Sequence, residues 1–125
     1  MNPGLIKSYL AEAAIADYTL TSWGAADRTV RTAVDGSAPL IGATTIVGAD
    51  NAGDPVDVVR GGLPEVRYGA AVARGDRLTA DARGRAVPVG VPGVGETIHY
   101  LGYAEVSGVD GDIAPIFIAP GAIKG

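Results

Sequence analysis

The chain has 125 residues, a net charge of −4, nineteen glycines, eight prolines and no cysteine, a length that fits one domain and leaves little room for a second. The missing sulfur excludes a disulfide framework and thiolate metal sites, and the acidic balance runs against neutralising nucleic-acid phosphates. No apolar run approaches the ~20 residues that span a bilayer, so neither nucleic acid nor membrane is expected as a partner.

In chain order, residues 1–16 read as a short N-terminal arm ahead of a β-barrel body at 17–125. Asn2-Pro3-Gly4 is a turn-prone lead, and Leu5 to Leu10 has the make-up of a strand. Ala11 to Ile15 has helical propensity but is too short to hold a helix alone, so the arm is expected to be extended. The N-terminus lacks a basic region followed by an apolar stretch, and synthesis without export is expected, with release by lysis.

Strand candidates follow at short intervals: Tyr18–Trp23, Arg28–Val34, Leu40–Val47, Val56–Arg60 and Glu65–Tyr68. Arg77–Ala80 and Arg85–Val89 flank the turn Asp81-Ala82-Arg83-Gly84, and Ile98–Val106 and Ile113–Ala119 complete the set. Gly/Asp turns between short strands predict an all-β fold, a small barrel or sandwich. Leu40-Ile41-Gly42 followed by Gly53-Asp54 and a hydrophobic strand also echoes Tyr100-Leu101-Gly102 followed by Gly111-Asp112 and another. Either chance or a body built from two related halves explains that echo.

Reactive constellations are scarce. His99 is the sole histidine; it falls in a strand-like run, and catalysis or metal binding needs further groups beside it. Six of the fourteen carboxylates adjoin glycine, as in Asp35-Gly36, Gly53-Asp54 and Gly75-Asp76, where aspartate caps turns by accepting from nearby backbone amides. Asp110-Gly111-Asp112 lacks the other oxygen ligands of a calcium loop. Gly90 to Gly95 has no Lys-Ser/Thr behind it and reads as a loop, not a phosphate cradle. Arg74-Gly75-Asp76 matches an adhesion tripeptide, but it leads into a strand as a turn. No enzyme activity, cofactor or metal is expected.

Six of the eight arginines lie between Arg60 and Arg85, where only Glu65, Asp76 and Asp81 are acidic. They suit either an acidic partner surface, through bidentate pairing, or simple solubility. The apolar residues of the arm have two available fates. They cover the barrel's own edge, or they add to a sheet edge of another chain. The candidate interface is therefore Leu5, Ile6, Tyr9, Leu10, Trp23, Arg60, Arg67, Arg74 and Arg77.

The run Tyr68 to Ala86, with Gly75-Asp76-Arg77-Leu78-Thr79 and an acidic turn ending at Gly84, resembles the central signature of a family of capsid cement (decoration) proteins of tailed phages. Leu101-Gly102-Tyr103-Ala104-Glu105 and Gly111 to Ile118 fill the places of that family's later segments, and Asn2 to Lys7 is similar to members from phages of Gram-negative bacteria. The resemblance implies a trimeric β-barrel on the outer surface of the virion. Its partners would be the major capsid protein and copies of itself, and its effect would be to stabilise the shell. On that reading the arm reaches capsid subunits or a neighbouring copy, and removing residues 2–16 leaves the barrel folded. Similar Gly-Asp-x-Leu-Thr strings occur in β-clip modules that bind sugars. That alternative predicts a pocket around Tyr100, Tyr103 and Trp23.

Overall fold

The computed structural model describes residues 5–125, and within them every regular element is a β-strand. The lead Asn2-Pro3-Gly4 lies outside the described residues. The first five strands are β1 (Ile6–Ala11), β2 (Leu20–Trp23), β3 (Thr29–Thr32), β4 (Leu40–Thr44) and β5 (Pro55–Val59). They close into a barrel in the order β1-β3-β2-β4-β5. The segment expected as an arm is extended, but it does not stand outside the β body. β1 runs antiparallel to β5, from Ile6 opposite Val59 to Leu10 opposite Pro55, and parallel to β3 at Leu10–Thr29 and Ala11–Val30. Of the two fates open to its apolar residues, the structure shows the first. β1 covers what would otherwise be two unpaired barrel edges.

The remaining strands are β6 (Glu65–Arg67), β7 (Arg77–Ala80), β8 (Ala86–Pro88), β9 (Thr97–Ala104) and β10 (Ile113–Lys124). They form a second sheet ordered β6-β10-β9-β7-β8. Its two edges meet just beyond β6, where Tyr68 bridges Ala86 in parallel and the Gly69 amide donates to the Ala86 carbonyl at 2.8 Å. The neighbour order and directions of β1 to β5 are thereby repeated by β6 to β10. The first strand lies parallel to the third, and every other pair is antiparallel. The echo in the sequence marks a body built from two like halves.

The turns repeat as well. Asn51–Asp54, Ala73–Asp76 and Val109–Asp112 each place glycine third, with φ of 87°, 92° and 92° at Gly53, Gly75 and Gly111. A side chain disfavours that left-handed backbone. Each aspartate carboxylate accepts from the amide three residues back, at 2.9–3.1 Å. Each glycine amide then donates to a strand end (Ala11, Ala104 or Tyr68), whose own amide returns a bond to the aspartate carbonyl. Turn-capping, the role expected of these acids, is what they perform.

One apolar cluster fills the barrel, with Tyr9, Val30, Ile41, Val56 and Val58 inside it. The other joins the two sheets through Leu20, Leu40 and Val59 on one side and Val66, Tyr68, Leu78, Leu101 and Ile116 on the other. The halves therefore share a core. Thr21 and Thr44 are buried with their hydroxyls donating to the carbonyls of Gly42 and Ala16, so neither is left unpaired.

Candidate binding surface

The candidate residues from sequence divide among several places. Tyr9, Trp23 and Arg60 meet at one mouth of the barrel. Tyr9 points inward and is buried, and Trp23 ends β2 and packs edge-on against it, with ring centroids 5.8 Å apart. The Arg60 guanidinium lies 5.3 Å from the Trp23 ring centroid and donates to the Tyr9 hydroxyl at 3.0 Å and the Ile41 carbonyl at 3.2 Å. Arg60 thus caps the barrel from within the chain, its charge set against an aromatic face.

Leu5, Ile6 and Leu10 are exposed at and before β1. Ile6 and Leu10 share the side of the strand opposite the buried Tyr9 and Ala11, as period-two alternation requires. Arg67 is tied to Asp17 at 2.8 Å. Arg77 lies 5.5 Å from the Tyr100 ring centroid, and Tyr100 packs edge-on against Tyr103. The Tyr103 hydroxyl beside it pushes the Tyr100 phenol up, with Arg77 acting in the opposite sense. Arg85 bridges Asp81 and Asp110, each at 3.0 Å. Among the described residues, Arg74 and Arg83 make no ion pair. Most of the Arg60–Arg85 stretch is thus engaged inside the chain.

The aromatic residues proposed to line a sugar pocket separate, Trp23 in the barrel and the two tyrosines on β9 of the second sheet. The half-buried His99 has its carbonyl bound by the Thr79 hydroxyl and its amide bound to Gly36. Among the described residues no group of three His, Cys, Asp or Glu could hold a metal ion.

One groove was not legible from the sequence. It lies beside Trp23 and is lined by Lys7, Ser8, Tyr9, Trp23, Asp27 and Arg28, with an open volume of about 690 Å³. Lys7 comes from β1 and Arg28 from the β2–β3 turn, brought together by the parallel β1–β3 pairing. The Lys7 ammonium sits 5.6 Å from the Tyr9 ring centroid.

No family model matches the chain, and no curated protein does. Among solved structures it is similar to the N base of the head fibre gp8.5 of bacteriophage phi29. The TM-score is 0.67 and the identity 22%, over 92% of this chain and 93% of that one. The two chains share a fold along nearly their whole lengths.

Proposed function

We propose, from the fold shared with the base of a phage head fibre, that this chain is a decoration protein of a tailed-phage head. It binds the outer surface of the shell as a homotrimer, contacts the major capsid protein and stabilises the head. The observation that carries this reading is that correspondence over more than nine-tenths of both chains. The Gly-Asp-Arg-Leu-Thr signature of the sequence adds to it independently.

The surface supports a structural role. Leu5, Ile46, Val47, Val91 and Val94 are each more than 60% exposed, an apolar load that suits faces covered in an assembly. A barrel without open edges supplies rigidity. Threefold repetition of a moderate contact multiplies its effect on a lattice.

Two measurements test the proposal. Light scattering of the full chain is expected to give three times the 12.5 kDa chain mass. Mixed with undecorated heads of the phage that encodes it, the protein is expected to sediment with them and to raise the temperature at which they release DNA. A monomer that stays in the supernatant at every head concentration overturns the reading.

A further inference from the structure

Among the described residues, two other than glycine hold left-handed backbone, Tyr18 with φ 49° and Arg28 with φ 66°. The repeated architecture shows what Arg28 replaces. Gly24 and Thr29 close the β2–β3 turn as Asp81 and Arg85 close the β7–β8 turn, each by an amide-to-carbonyl bond of 2.9 Å. In both turns the residue before the closing one is left-handed, and in the second half that residue is Gly84, with φ 74°. The first half thus carries arginine where its structural twin carries glycine. A Cβ in this conformation is a cost that glycine avoids, and strain of this kind clusters at ligand-contacting positions.

The Arg28 side chain lines the groove beside Trp23. Lys7 lines it too, and Asp27 is the single acid there, on a chain whose net charge is −4. Glu12, close by, already accepts from the Ala25 amide and lies 3.9 Å from Arg31. Trp23 is 45% exposed and lines the same groove as the two cations. Two cations and an indole in an open groove match an extended chain bearing carboxylates, with the indole packing on its apolar portions. A nucleic-acid strand matches less well, because its continuous phosphates would meet the negative field of the remaining surface.

We infer that the Lys7–Trp23–Arg28 groove is a docking site for an acidic, extended segment of the capsid protein, and that Arg28 is kept at a glycine position for that contact. The source of the segment rests on the head-decoration reading; the chemistry of the groove does not.

The test combines binding with melting. Full-length wild type, Lys7→Glu, Arg28→Glu and Arg28→Gly are each sedimented with undecorated heads between low and high salt. Wild-type binding is expected to weaken with salt, and the two charge reversals are expected to lose about tenfold or more in affinity. Arg28→Gly is expected to bind several-fold more weakly yet melt about 2–4 °C higher, since it removes backbone strain along with the cation. Charge-reversed variants that decorate heads like wild type overturn the groove assignment while leaving head decoration intact. If wild type binds no heads, the decoration reading falls. The groove is then judged with a ten-residue Glu-rich peptide, read by emission of Trp23, the only tryptophan. A salt-sensitive change that Arg28→Glu removes sustains it; no change, or an equal response to a single-stranded oligonucleotide, overturns it.

Discussion

Tyr68 is fully buried, and its hydroxyl donates to the Val106 carbonyl at 2.9 Å. Burial pushes its phenol above the ordinary value, and the nearby carboxylates of Asp112 and Asp76 push the same way. A raised value means that the folded state favours the neutral phenol. Its contribution is complete below the unfolded-state value of about 10 and is lost as pH rises through the folded-state value. Tyr68→Phe should cost about 1 kcal/mol at neutral pH by removing that donor. Its melting temperature should then fall less steeply than that of wild type above pH ~10. Parallel curves to high pH would assign the alkaline loss to another group. Glycines divide by mechanism. At Gly102 a Cβ would meet the Phe117 carbonyl, backbone that cannot swing aside, so Gly102→Ala should cost about 2–4 kcal/mol. At Gly75 nothing lies within 4 Å of such a Cβ, and Gly75→Ala should cost only the left-handed strain, about 1–2 kcal/mol. Urea melts of the two variants measure the difference.

At the scale of elements, β1 decides whether the barrel exists. Removing residues 2–16 strips one of the two partners from each of β3 and β5 and uncovers Val30, Val56 and Val58. The truncated chain is therefore expected to lose its cooperative melt and to aggregate, the reverse of what a detachable arm predicts; circular dichroism with heating checks this. β1 was legible as extended chain, but its place was not, because its partner β5 lies some fifty residues away and composition carries no trace of such a pairing. Strands bracketed by Gly/Asp turns were legible. β7 falls at Arg77–Ala80, as the turn it flanks indicates, and the Asp81–Gly84 turn follows it. β10 runs to Lys124, past the Ala119 at which the expected strand ends. In the structure the ladder shifts register between Ile118 and Gly121, so Pro120 falls where no ladder bond is needed. Of the residues lining the candidate groove, the sequence pointed to Tyr9 and Trp23. It missed Lys7 and Arg28, which only the parallel β1–β3 pairing brings together.

For the molecule as a whole, the shared cluster between barrel and second sheet joins the two halves into one cooperative unit. Thermal unfolding followed by Trp23 emission, which reports the barrel, should coincide with unfolding followed by far-ultraviolet circular dichroism, which reports both sheets. Separated midpoints would mean halves that unfold independently. Either result bears on the proposed decoration role, which calls for a body that holds its shape on a lattice under load. Ion pairs add little to that rigidity. Of the four among the described residues, the exposed pair of Arg31 and Glu12 at 3.9 Å contributes least, and the bridging Arg85 does more by fastening the Asp81 turn to Asp110.

The duplicated strand order also bears on biosynthesis. All five staves of the first half lie within residues 6–59, so they leave the ribosome together, while the remaining residues need about 3–13 s more at translation rates of ~5–20 residues per second. Collapse of a chain this size takes no more than about 100 μs, so β1 meets β5 long before its look-alike β10 has been translated. Vectorial synthesis thereby protects the nascent chain from a mispairing that refolding from denaturant permits, and yields from refolding should trail those from synthesis in the cell.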